Sequence, residues 1–338
     1  MSSRRKFLGS ALAVLGAMPA LIAQDRAHRR SWWEMVATEY PLEEPPFRPD
    51  PSMWDDTTIT AAWLGHATVL INFFGMKIIT DPVLLDRIGL NVAGLFTIGP
   101  RRLVRSPLAV EELPPLDLIL LSHAHMDHLD TRTIGKFDRS VPVIMAKHTS
   151  DVIAEYDFGT IYELDWGQWT QIGDLRVEAL EVRHFGWRYP WEEDRSRGNP
   201  NGRSYNAYLL SRRGHHIVFG GDTSFHDNFL SLRRRNIPID LAMMPIGAYD
   251  PWIRNHANPE QSLAMAEQMK AASLLPIHWN TFVQSAEPRN EPLERLKVAA
   301  EDAGVPLALE SIGQTWALKT LSAERVVPEP VDASSGTQ

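Results

Sequence analysis

The sequence predicts a single α/β domain, and three observations lead to it. Short β-type runs alternate with helical patterns from about residue 58 to residue 303. A chain of 338 residues with eleven Trp and twelve Phe has the apolar content for a substantial core. No internal repeat or low-complexity block divides it.

The elements follow in order. Residues 1–24 read as a targeting segment: Arg4, Arg5 and Lys6 precede an apolar run from Leu8 to Ala23, too short for a bilayer span and suited to an export signal. The stretch "SRRKFL" resembles the twin-arginine export motif, which implies an exported, periplasmic or envelope-associated protein. Ala23 could precede a cleavage point; left uncleaved, the segment would be a membrane anchor. Residues 25–56 read as an irregular lead-in, since "PLEEPPFRPDP" carries five prolines. Trp32, Trp33 and Trp54 flank it as pins against the body.

The domain proper is expected at 57–320. "TITAAWLGHATVLINFFGMKIITDP" reads as three strands punctuated by Gly65 and Gly75. "DLILLS", "VPVIMAKH", "LRVEALEVRH", "NAYLLSRRGHHIVFGGD", "IDLAMMPIG" and "ASLLPIHW" supply further strands. "NPEQSLAMAEQMKAA" reads as a helix with Asn258 as N-cap and Pro259 at its first position, and residues 292–303 as a last helix ending near Gly304. Residues 321–338 read as a disordered tail.

Composition excludes several function classes. A formal charge of −8 argues against nucleic acid, whose phosphates need a basic field. The chain has no cysteine, which removes disulfides, thiolate metal sites and cysteine nucleophiles together. Any metal must be held by His, Asp or Glu.

One arrangement then recurs. An apolar run ends and a ligand-type residue follows: "LILLS" before His123, "RVEALEV" shortly before His184, "IVFGG" before Asp222, "LLPI" before His278. Strand ends give a rigid base for functional groups. With His125, Asp127 and His128, these make seven nitrogen and oxygen ligands. That set suffices for two divalent cations sharing one carboxylate and a water. His123 and His125 can point to one cation while Asp127 and His128 turn toward the other. Imidazole and carboxylate suit zinc, and also iron or manganese. A water between two cations about 4 Å apart becomes hydroxide near neutral pH.

"SHAHMDHLD" resembles the signature of the metallo-β-lactamase superfamily, and the resemblance spans roughly residues 57–318. It implies an αββα sandwich with the metals at one edge. It also implies a first metal on His123, His125 and His184, a second on Asp127, His128 and His278, and Asp222 as the bridge. "WLGHATVLI", "TDPVL", "FGGDTSF", "PIGAYDPW" and "PIHWNTF" followed by "EPRNEPLERL" resemble the N-acylphosphatidylethanolamine-hydrolysing phospholipase D group. That resemblance implies hydrolysis of a membrane-lipid phosphodiester, with Asp127 and His256 in catalytic positions. The rival reading is a lactonase or other ester or amide hydrolase on the same ligands; a further one is a non-catalytic metal-binding envelope protein. The long segment "FGWRYPWEEDRSRGNPNGRSYNAYLL" departs from the group's pattern after His184 and is expected over the metals.

Other residues carry two readings each. His66 reads as a site residue or a packing histidine. Asp81 either orients a ligand imidazole or caps the turn before Pro82. His226 and Trp187 are pocket candidates, with Tyr189 and Trp191 beside them. His148, His215 and His216 read as core or surface residues. The uncharged stretch "IGLNVAGLFTIG" within 87–100 reads as a loop over the core, or as a flap touching acyl chains or a membrane. The expected partners are a small-molecule or phospholipid substrate and peripheral membrane contact.

Overall fold

A computed structural model describes residues 38–92, 95–192 and 195–319. Residues 1–24, read above as an export signal, Trp32, Trp33 and the tail 321–338 lie outside these residues. Within the described residues no helix is long and apolar enough to cross a membrane.

Two sheets build the body. In the first, β1 (Thr58–Gly65), β2 (Thr68–Phe73) and β3 (Met76–Thr80) form an antiparallel meander. A separate hairpin, β4 (Leu90–Val92) and β5 (Phe96–Ile98), stands where the sequence suggested a loop or flap. The first sheet resumes with β6 (Leu118–Leu121), β7 (Val143–Ala146) and β8 (Ile161–Leu164), which continue parallel to β3. In the second sheet β9 (Trp169–Ile172), β10 (Leu175–Leu180), β11 (Ala207–Arg212) and β12 (His215–Phe219) alternate in direction. β13 (Leu241–Pro245) and β14 (Leu274–Ile277) then run parallel to β12. Last, β15 (Thr315–Lys319) returns to pair antiparallel with β1.

Burial explains why these runs are strands. Along β1 the side chains of Ile59, Ala61 and Trp63 join one core, while Ala62 and Leu64 join another. Along β6, Leu118 and Leu120 separate from Ile119 and Leu121 in the same way. Side chains alternate across a strand, so a strand buried on both faces reads as a continuous apolar run. The first core lies between the sheets and continues to α3 (Pro259–Gln268) and α4 (Glu291–Ala303) through Leu263, Met265, Leu296 and Ala300. The second covers the other face of the first sheet with Ile134 of α1 (Thr131–Ile134) and Ile153 of a 3₁₀ turn. The layers are therefore helix, sheet, sheet, helix. A short α2 (Leu230–Arg234) follows β12.

The helix ends match the sequence reading. The Asn258 side chain accepts from Gln261 N at 2.9 Å, and the Gln261 side chain accepts from Asn258 N at 3.1 Å. Gly304, at φ +69°, closes α4 in the left-handed conformation that glycine adopts without strain. In the lead-in, Trp54 packs on the second core, and Glu43 bridges to Val104 and takes both guanidinium nitrogens of Arg289.

The strand directions position the site. β1, β3 and β6 point one way in the first sheet, and their carboxyl ends deliver His66, Asp81 and His123. In the second sheet β10, β12 and β14 likewise lead to His184, Asp222 and His278. Open sheets gather their ligands at such carboxyl ends.

Candidate metal centre

Three imidazole nitrogens converge first. His123 Nε2 lies 2.8 Å from His125 Nδ1, and His184 Nε2 lies 3.2 Å from that same atom. Their outer nitrogens are fixed by the fold. His123 Nδ1 donates to Ser122 Oγ at 2.8 Å, and that hydroxyl donates to Asp81. His184 Nδ1 donates to the Asn255 carbonyl at 3.0 Å. Each bond puts the proton on Nδ1 and leaves Nε2 free to bind a cation.

A second group faces the first. Asp222 Oδ2 lies 3.1 Å from both His128 Nε2 and His278 Nε2. Asp127 Oδ2 lies 3.6 Å from His128 Nε2 and 3.5 Å from His278 Nε2. His128 Nδ1 donates to Asp81 at 2.6 Å. Ligands about 2.0–2.1 Å from one tetrahedral cation must sit roughly 3.3 Å apart, and these spacings cluster around that figure.

The donor atoms form two four-residue sets, each within 4.8 Å: His123, His125, His184 and Asp222, then His66, Asp127, His128 and His278. Asp222 also groups with His256 and His278, so its carboxylate touches both halves. Gly221 makes that reach possible. At φ +55°, its added Cβ would fall 2.7 Å from Ser122 Cβ, so glycine lets the two strand ends meet.

The residues fit a pair of cations. Both oxygens of Asp222 and the Nε2 atoms of His128 and His278 are buried with no hydrogen-bond partner. Unsatisfied buried polar atoms are costly, and cation coordination satisfies them. His66, Asp81 and His278 hold φ of +52°, +31° and +63°. Backbone strain of this kind concentrates at functional sites.

The electrostatics agree with that reading. Burial drives the His123 and His125 rings well below the imidazole range, and neighbouring histidines add to it. Burial is the largest single influence on Asp222 and Asp127 and opposes their ionisation, yet His128, His278 and the other neighbouring histidines together outweigh it, and both stay well below the carboxylate range. Burial presses His66 down to about 3, so its neutral ring donates Nε2–H to Asp127 at 2.9 Å.

The remaining candidates separate clearly. His66 stands beside the second group, its ring centroid 4.0 Å from that of His278. Asp81 orients His128 directly and His123 through Ser122. His256 Nδ1 lies 3.7 Å from Asp222 Oδ2, with no hydrogen-bond partner of its own. The Trp187 ring centroid is 6.0 Å from that of His125. His226 does not join either group: it packs on Phe229, and its Nδ1 accepts from Asn228 N, because the chain turns away after Ser224. His148 is exposed, while His215 and His216, at the far end of β12, bond Asp240 and Ser211.

The long segment after His184 corrects the expectation in part. Its start and its end lie by the ligands: the Phe185 ring centroid is 4.3 Å from that of His125, the Tyr205 centroid is 6.2 Å from that of His184, and Asn206 N donates to the Ser122 carbonyl. Arg188 then clasps the ligand loop, donating to the carbonyls of Ala124 and Leu129. Further along, Arg203 forks onto Asp151. Sequence reasoning missed Ser122, Asn255, Arg188 and Gln284, whose Nε2 donates to Asp127 Oδ2 at 2.7 Å. Ser122 alone carried a signal, as a polar residue ending an apolar run beside His123.

A family model described as a β-lactamase superfamily domain matches residues 77–279. The chain belongs to the metallo-β-lactamase superfamily. A protein of Mycobacterium tuberculosis is 32% identical over 296 residues, covering 83% of this chain and 76% of that one. N-acyl-phosphatidylethanolamine-hydrolyzing phospholipase D 1 of Caenorhabditis elegans is 30% identical over 283 residues, covering 77% of this chain and 76% of its own. Among solved structures, isothiocyanate hydrolase from Delia radicum gut bacteria shares the fold, with a TM-score of 0.60 at 18% identity over 77% of this chain and 99% of its own. The chain is a metal-dependent hydrolase of this superfamily.

Proposed function

We propose that the chain is a phosphodiesterase of phospholipase D type, cleaving N-acylphosphatidylethanolamine or a related glycerophospholipid. The observation that carries this is the double ligand group sharing Asp222 at the mouth of an amphipathic cavity. That cavity, of about 360 Å³, runs from His278 between Trp279, Phe282, Val283 and Ala248, with Asn280, Gln284, Ser285, Glu287 and Arg289 as polar groups. Apolar walls with a few polar groups suit a lipid held by its headgroup. The named activity of the C. elegans relative supports the same substrate class.

Two divalent cations, zinc by preference of the donor set, supply Lewis acidity and favour deprotonation of water when bound. His123, His125 and His184 would hold one and Asp127, His128 and His278 the other, with Asp222 available to both. His66 and Gln284 fix the Asp127 carboxylate. His256 is kept neutral by burial, and its Nδ1 faces the shared carboxylate, so it is placed to take the proton released by the attacking water and pass it to the leaving alcohol. Water adds to phosphorus, the bond to the N-acylethanolamine oxygen breaks, and that oxygen takes the proton. Export through residues 1–24 belongs to the same proposal and rests on the Arg4–Arg5 pair and its apolar run.

The test is product analysis by mass spectrometry. Zinc-loaded protein should convert N-acylphosphatidylethanolamine in a mixed lipid extract to phosphatidic acid and N-acylethanolamine, and the Asp222→Asn variant should not. Intact lipid beside protein of confirmed metal content would overturn the proposal in favour of the lactone or ester reading. Function retained by Asp222→Asn would favour a non-catalytic role.

A further inference from the structure

The β4–β5 hairpin turns its apolar side chains outward. Residues 88–99 contain no charged residue. Leu95 is 83% exposed and Phe96 57%, with Leu90 and Ile98 exposed beside them. The base is firmly held: Ile88 is buried against Val83 and Phe282, Ile88 N donates to Pro100 O at 3.1 Å, and Arg132 donates to Thr97 Oγ1 at 2.7 Å. A two-stranded hairpin is marginal by itself, and an apolar one left in water invites association. Leu90, Leu95, Phe96 and Ile98 are therefore built outward on a held base, with no cover among the described residues.

Its position gives the next step. The hairpin follows Asp81, and Arg132 ties it to the helix after the ligand loop, so it stands on the metal-bearing edge. Trp191, 78% exposed and stacked on Tyr189, rises from the segment after His184. A cavity of about 740 Å³ lies between Leu90 and Trp191. A second exposed apolar group, Phe225, Trp252 and Ile253, sits on the loops carrying Asp222 and His256, at the same edge.

Charge selects the occupant. The arginines at the hairpin base are already matched, Arg87 and Arg101 by Glu39 and Arg132 by Asp130. With a formal charge of −8, the chain has little attraction for an anionic surface. An uncharged apolar tip with tryptophan at its shoulder matches the acyl boundary of a zwitterionic bilayer.

We propose that the β4–β5 hairpin inserts into a zwitterionic phospholipid bilayer, with Trp191 at the headgroup level, and holds the metal-bearing edge against the membrane. This rests on the reading that the substrate is a membrane lipid. Binding is set by apolar insertion, so it does not depend on anionic lipid.

The absence of cysteine permits a local test in the full chain. An environment-sensitive fluorophore is attached through Leu95→Cys, and in a separate sample through Met53→Cys. Met53 is 77% exposed and lies next to Trp54, near the start of β3 and away from the ligands. With phosphatidylcholine vesicles the label at position 95 should shift to the blue and be quenched by lipid-borne nitroxide, equally at high salt. The label at position 53 should not respond. Equal responses at both positions would overturn the inference, as would a response that requires phosphatidylglycerol and vanishes in salt. A shift that grows with protein concentration without vesicles would also overturn it, marking a second copy as the cover. Phe96→Asp should lower hydrolysis of vesicle-borne N-acylphosphatidylethanolamine by roughly tenfold or more and spare a soluble short-chain analogue. Loss of both substrates alike would count against docking. Failure of the unmutated protein on the soluble analogue would instead indict the substrate reading.

Discussion

The two ligand groups share one carboxylate but are held in place differently. In the first, His123 and His184 rest on neutral partners, a hydroxyl and a carbonyl, and His125 Nε2 is buried with no partner at all. In the second, Asp81 grips His128 with a carboxylate, while His66 and Gln284 both bond Asp127. His128 and Asp127 of the second group are thus held by charged or doubled partners, whereas His278, like His125 in the first, is left to the cation. Partners behind metal ligands set both orientation and affinity, so the groups should respond differently to damage.

The largest effect should come from the residue common to both. Asp222→Asn is expected to cut turnover by roughly three orders of magnitude, the scale of losing a charge partner in the transition state. Metal analysis should show both cations weakened; loss of only one would break the idea of a shared carboxylate. Next comes Asp81→Asn, expected to weaken cation binding about 10–100-fold, because His128 loses its anchor and Ser122 its acceptor. Gln284→Ala should cost less, nearer the lower end of that range, and on one cation only. Competition with a chelator would reveal equal weakening of both, which would erase the distinction between the groups.

The smallest effect concerns the segment after His184. Its Arg203 lowers Asp151 chiefly by hydrogen bonding, and holds Glu192 low against the opposing effect of burial. Depressed carboxyls stabilise above their unfolded pKa, and that stability is lost as pH falls through the folded value. Hydrogen exchange across residues 185–192 should therefore rise below about pH 4. No such rise is expected in Arg203→Gln beyond its already raised baseline.

Much of this site was legible because each ligand follows an apolar run. His123, Asp222 and His278 stand at or next to the ends of strands buried on both faces, and such runs are plain in a sequence. Asp81 and His66 were legible for the same reason, though which role each plays depended on where Asp127 and His128 turn. Gln284 was hidden: it meets Asp127 across 157 positions, with no local pattern to mark it. Asn255 contributes a backbone carbonyl, which any residue would offer. His226 misled because four residues past Asp222 is near in sequence, whereas the turn carries it to Phe229. The hairpin escaped because three-residue strands show no periodicity, and β15 because its exposed and half-buried residues make no continuous apolar run.

One titration tests the central claim, that two unequal ligand groups joined at Asp222 act as one hydrolytic site. Metal-free protein would be given zinc in measured equivalents while release of N-acylethanolamine from N-acylphosphatidylethanolamine is followed. The account predicts little turnover up to one equivalent and full turnover at two. Full turnover at one equivalent, or none with two bound, would contradict it.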